Sequence, residues 1–135
     1  MTYLQKKMRS HHDVEDLGGG TWYILHLLAS LCTTTTSYEH FLYVLKIIAD
    51  HFLGETCRQH LNAYIDNHPI DLRGRTGQRM AEYVFRWMYD LHDDVNVTQK
   101  QIESLPFAEI YQRYFHVETT PSTCTDTKRK KRRRY

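Results

Sequence analysis

The sequence predicts an all-α fold, a four-helix bundle with a short fifth helix. Three observations carry this. Four segments place apolar residues at the helical period, a shorter fifth follows, and no stretch alternates as a strand does. The connections between segments are short, which favours antiparallel neighbours. Finally, 10 Tyr, 5 Phe and 2 Trp stand against only 6 Gly and 3 Pro in 135 residues, a surplus of packing groups over turn formers. One domain of this length buries roughly two-thirds of its unfolded surface and needs no disulfide staples.

In chain order, residues 1–17 are polar and predict a loose N-terminal arm, and the helical domain is expected over 18–117. Its first helix contains TWYILHLLASLC from Thr21, which is apolar on nearly every side and so buried on most of them. TTTTS at 33–37 breaks it, because β-branched and hydroxyl side chains compete with helical hydrogen bonding. Thr36 and Glu39 predict a capping box for the second helix, whose stripe is Phe41, Leu42, Leu45, Ile48, Ala49 and Phe52. Gly54 interrupts. The third helix carries Cys57, Leu61, Tyr64 and Ile65 on one face and ends at Pro69. After the loop PIDLRGRTG, Thr76 predicts the cap of a long fourth helix with the stripe Met80, Val84, Trp87, Met88 and Leu91. Ser104 predicts the cap of the fifth, with Pro106 in its first turn. From 118 to 135 Thr, Ser, Pro and then charge predict a disordered basic tail.

The net charge of +2 is unevenly placed: KRKKRRR at 128–134 holds seven cations, leaving the rest of the chain at −5. Such a run repels itself and stays extended. The run predicts contact with nucleic acid or other polyanions through counterion release, a nuclear address, or no more than a solubilising tail. No apolar run approaches the ~20 residues that span a bilayer. The N-terminus lacks the apolar centre of a signal peptide. Three cysteines, Cys32, Cys57 and Cys124, are too few for a secreted disulfide scaffold. The expected setting is cytoplasm or nucleus, without membrane contact.

Cys57 falls in the first turn of its helix, where exposed amides and the dipole favour an anionic, reactive sulfur. The alternative is an inert apolar filler. Cys57 and His60, with His51, His68 and the His11-His12 pair, lack the paired spacing of a closed zinc site, so no metal is expected. Trp22 and His26 on the first helix, and Trp87, His92 and Asn96 on the fourth, set polar groups directly beside apolar stripes. Buried histidines need partners, and polar groups converging between bundle helices commonly build a cofactor site.

Those residues carry a resemblance. GGGTWYILHLLAS, with Gly18 four positions before Trp22, resembles the G-x-x-[ST]-W-x-x-L-H stretch of the Erv/ALR family of FAD-linked sulfhydryl oxidases. CRQHLNAYIDNHP resembles the family's segment from the second redox cysteine to a helix-ending proline. WMYDLHDDVN resembles its W-x-x-x-L-H-N-x-V-N stretch. The three follow the family's order over 18–96 and look most like its compact single-domain members, such as those of large DNA viruses. The resemblance implies a bundle that holds FAD within it, a homodimer, and oxidation of protein thiols with molecular oxygen as acceptor. Trp22 and His26 would line the flavin, and Cys57 would lie against the isoalloxazine ring. His68 would contact the nucleotide side, and His92, Val95 and Asn96 the adenine and ribose. Gly18, Thr21, Trp87 and Lys100 complete the implied cofactor-binding set.

The departures have consequences too. Gly54 stands where the family has the first cysteine of its redox pair, Asp93 replaces an Asn, and Gln99 and Gln101 stand where Leu and Lys are usual. A proximal two-cysteine exchange is therefore ruled out, and Cys57 needs a second thiol. Cys124, as a shuttle on the tail, Cys32, or a substrate thiol could supply it. Space at a helix start predicts that a cysteine at 54 costs little in folding. Two other readings stand beside the oxidase: a degenerate member acting as a dimeric flavin-binding or interaction protein, and a helical adaptor with a nucleic-acid-binding tail.

Overall fold

The computed structural model describes residues 14–51 and 54–115, with the backbone alone for 14–19. Five α-helices follow one another: α1 Val14–Ser30, α2 Thr35–His51, α3 Glu55–Asn67, α4 Gly77–Val95 and α5 Phe107–Phe115. After α4 the chain continues directly into a π-helical turn, Asn96–Lys100. The described residues contain no strand, and none of their helices is long and apolar enough to cross a membrane. The all-α bundle expected from the helical periods is the fold observed.

Helix α4 supplies much of the core. Met80, Val84, Trp87, Met88 and Leu91 are all buried, and the stripe extends through His92 to Val95. It packs along α1, whose inward side is Trp22, Leu25, His26 and Ala29 at the spacing of one helix face. Phe41, Leu45 and Ala49 of α2 and Leu61 of α3 close the other side. Helix α5 docks by its aromatics: fully buried Phe85 meets the rings of Phe107, Tyr111, Tyr114 and Phe115 at 5.0 to 6.2 Å.

Several boundaries differ from the sequence expectations. Helix α1 starts at Val14, ahead of the apolar run from Thr21, and passes through the three glycines. A packed helix propagates backward through poor formers when no proline stops it. The second helix is capped by Thr34 rather than Thr36. The Ser37 N–H donates to Thr34 Oγ1 at 3.1 Å, and the Thr34 N–H donates to Ser37 Oγ at 3.0 Å. This is a reciprocal box with a hydroxyl in the glutamate's place. Thr76 occupies the cap position of α4 in extended geometry, but its side chain makes no capping bond. Pro106, not Ser104, heads α5, its carbonyl accepting from the N–H groups of Glu109 and Ile110. Phe52, the tail and Cys124 lie outside the described residues.

Candidate functional site

Four elements meet around a narrow slot near the start of α3. Thr21, Trp22 and Leu25 of α1 form one wall, and Cys57, His60 and Leu61 of α3 another. Ile48 of α2, Val95 at the end of α4 and Gln99 of the π turn complete it. The spacing explains the convergence: Trp22 and Leu25 are three apart, as are Cys57 and His60, so each pair shares a helix face. The exposed lining is apolar and the cavity measures about 20 Å³, room for roughly one water. A flat ring would therefore enter only with side-chain rotation, of exposed Gln99 and half-buried Ile48 for example.

Behind the slot the Trp22 ring stacks on His92, centroids 3.9 Å apart and planes 11° from parallel. His92 Nδ1 in turn lies 3.0 Å from His26 Nε2, in the core. One nitrogen of this pair donates and the other accepts, so the two tautomers are coupled. Burial holds both rings neutral, lowering His26 to about 3 and His92 to about 2. For His92 the neighbouring His26 and Lys100 add smaller contributions in the same direction.

Asn96 is nearly fully buried at the junction of α4 and the π turn. Its backbone carbonyl accepts from the N–H groups of Gln101 and Ile102, and its Nδ2 donates to Ser104 Oγ at 3.0 Å. Ser104, expected as a helix cap, is spent here. The buried Asn96 Oδ1 has no hydrogen-bond partner among the described residues. A fixed, desolvated acceptor of this kind favours a ligand hydroxyl or amino group, since leaving it bare costs about 1–3 kcal/mol. An apolar slot with a thiol in its wall, and a buried acceptor one residue beyond its Val95 lining, match in chemistry a cofactor with a flat ring and a sugar or base edge. FAD has both parts, so the residues present suit it.

Helix α3 also presents a polar group that the sequence reading considered only as half of a metal pair. His60 Nε2 lies 2.6 Å from Asp94 Oδ2, and Gln99 Nε2 lies 3.2 Å from His60 Nδ1. Among the described residues no three His, Cys, Asp or Glu side chains converge as metal ligands. The Cys57–His60 spacing was the available signal; Asp94 had none, because its partner is 34 residues away.

The structure thus brings Thr21, Trp22, Cys57 and Val95 to one slot, with His26, His92 and Asn96 packed behind or beside it. Gly18 lies in α1 before the slot, and Lys100 is exposed in the π turn. His68 and Trp87 stand elsewhere. Trp87 Nε1 donates to the His68 carbonyl at 2.7 Å, His68 stacks on Tyr64, and both line a separate cavity of about 130 Å³. Cys32 is fully buried, its Sγ donating to the Leu28 carbonyl, and burial pushes the thiol up to about 12. It lies roughly 15 Å along α1 from Trp22 at helical rise. A sulfur so buried and so rarely ionised is poorly suited to thiol exchange with Cys57. Gly54 adopts φ +104, with nothing within 4 Å of an added Cβ. The room expected there exists, but the backbone angle is one that side-chain-bearing residues rarely adopt.

A family model described as Erv1 / Alr family matches residues 19–116. No curated protein and no solved structure matches the chain.

Proposed function

The chain belongs to the Erv1/Alr family, whose members are FAD-linked sulfhydryl oxidases, and from that premise we propose that it oxidises protein thiols to disulfides with molecular oxygen as final acceptor. The observation that carries the reading is the position of Cys57 in the wall of an apolar slot that also contains Trp22 and Val95. FAD, when bound, supplies a two-electron acceptor that oxygen can reoxidise. Trp22, Leu25 and Val95 would hold its flat ring and exclude water from it. Asn96 Oδ1 would accept from its sugar or base, and exposed Lys100 would offer positive charge to its phosphates.

Cys57 requires a second sulfur, and Cys124 is the one this reading assigns. Residue 115 ends α5, and Tyr114 is linked to the slot wall by three ring contacts: to His26 at 5.6 Å, then His92 at 5.3 Å, then Trp22 at 3.9 Å. The nine residues from 115 to 124 reach up to ~30 Å when extended. A Cys57–Cys124 disulfide would form as two electrons and two protons pass to the acceptor that bound FAD would supply, and exchange with a substrate dithiol would restore both thiols. The homodimer and the polyanion contact of 128–134 belong to the same proposal.

The test combines flavin absorbance with oxygen uptake on a dithiol substrate. The parent chain should copurify with FAD, and Asn96→Ala or His92→Ala should release it. Cys57→Ser should abolish uptake, and Cys124→Ser should lower it at least ~10-fold by removing an intramolecular partner. A colourless protein that takes up no added FAD overturns the reading. FAD binding without oxygen uptake points instead to a flavin-binding member without turnover, which the missing thiol and positive φ of Gly54 favour.

A further inference from the structure

Cys57 shares its slot with His60, a half-buried imidazole that lies one helical turn on and has both ring nitrogens engaged. Asp94 can only accept, so at 2.6 Å the hydrogen of neutral His60 sits on Nε2. Nδ1 then offers a lone pair, and the Gln99 amide N–H meets it at 3.2 Å. Thr98 steadies this end of the site by donating from its hydroxyl to the Asp94 carbonyl at 2.6 Å. The His60 side chain is 18 % exposed and that of Asp94 38 %, so the pair is shielded on one side and wet on the other.

The ring itself need not move to accept a proton: the Cys57 thiol, one helical turn back, has only to rotate toward Nδ1 as the Gln99 N–H turns away. Protonation at Nδ1 creates an imidazolium whose Nε2–H already points at a carboxylate. Rotation of the Gln99 amide exchanges its donor for its oxygen, so the new N–H also finds an acceptor. We propose that His60 is the proton acceptor for Cys57, positioned by Asp94 and Gln99. The step is one proton transfer: the Cys57 S–H bond breaks, an Nδ1–H bond forms on His60, and a thiolate–imidazolium pair remains. No electron moves, and no other reactant is required.

The proposal rests on Cys57 as the reacting sulfur of the function above, but its chemistry precedes any electron transfer. The charged groups on the elements around His60 are few. Helix α4 carries Asp94, with Asp90 and Asp93 on its neighbouring turns, and the π turn carries Lys100. Helix α3 itself carries Glu55, Arg58 and Asp66, and α2 contributes the Lys46–Asp50 ion pair. The slot residues of α1 are uncharged.

The experiment measures the alkylation rate of Cys57 by iodoacetamide, read by peptide mass spectrometry from pH 5 to 10, without a thiol substrate. The thiolate is the species that reacts. At pH 7 His60→Asn should alkylate ~10-fold more slowly than the parent, with Asp94→Asn between them, and the ratios should approach one above about pH 9.5. A change in packing alone would alter the rate equally at every pH. Cys32 serves as an internal gauge, since its labelling reports loss of fold in any variant. The parent supplies a variant-free check: its Cys57 profile should contain a step at the titration midpoint of the His60 ring followed by NMR. A parent profile without that step overturns the proposal, as does a folded His60→Asn whose rate matches the parent at pH 7. Flavin absorbance recorded on the same samples separates the two claims. Loss of FAD binding with the step intact refutes the cofactor reading and leaves this one standing.

Discussion

His26 and His92 meet at 3.0 Å in the core, and burial keeps both uncharged. Their unfolded-state values lie near 6.5, so below that pH the unfolded chain takes up two protons that the folded chain refuses until about 3 and about 2. Their burial is therefore neutral for stability above pH 6.5 and increasingly unfavourable as the pH falls below it. Each group weakens folding by ~1.4 kcal/mol per pH unit in that window. Denaturant melts should show a loss of about 2–3 kcal/mol between pH 7 and pH 5.5 from this pair. A His26→Gln variant should lose about half that pH dependence while keeping a polar partner for His92. Gly54 calls for a different experiment at the same scale. Cysteine there meets no steric obstacle but must adopt φ +104 or bend the chain away from it. The expected cost is ~1–3 kcal/mol in a denaturant melt, so a restored redox pair would begin from a less stable protein. This reverses the sequence expectation of an inexpensive change, because room for a side chain and tolerance of its backbone angle are separate requirements.

At the scale of elements, the start of α2 rests on the reciprocal Thr34–Ser37 bonds. Thr34→Ala should cost ~1 kcal/mol, read by thermal or denaturant melting, while Thr36→Ala should leave stability within ~0.5 kcal/mol. The sequence held several equivalent hydroxyls in a row, and the capping-box pattern selected Thr36 because Glu39 follows it at the standard distance. Which threonine caps is decided by where α1 releases the chain at Cys32, a tertiary fact. By contrast the stripe of α4 was fully legible, because five apolar residues at one period leave only one face to bury. The candidate site was legible only in part. Trp22, Cys57 and Val95 could be placed from local pattern and family resemblance. Asp94 and Gln99 could not, because their role comes from the π turn, which returns the chain toward α3.

For the molecule as a whole, α1 and α2 pack against each other and leave an apolar outer surface. Tyr23, Ile24 and Leu31 are 47, 49 and 55 % exposed, and Tyr43 and Ile47 on α2 are 71 and 43 % exposed. Apolar exposure on two packed neighbouring helices suits the interface of the proposed homodimer. Light scattering at micromolar concentration should give a dimer mass, and the double variant Ile24→Glu, Ile47→Glu should give a monomer that still melts cooperatively. A parent chain of monomer mass would refute the assembly. Helix α1 also enters this arrangement through Gly18, Gly19 and Gly20, directly ahead of Thr21 and Trp22, the first of its residues to line the slot. Each glycine weakens that end by ~1 kcal/mol relative to alanine, so it should open before the rest of the bundle. Amide hydrogens there should exchange with solvent by local opening, those of central α4 only by global unfolding. Passage of a bulky molecule into the slot would then follow the helix–coil kinetics of one short terminal segment, and the bundle would admit its guest without coming apart.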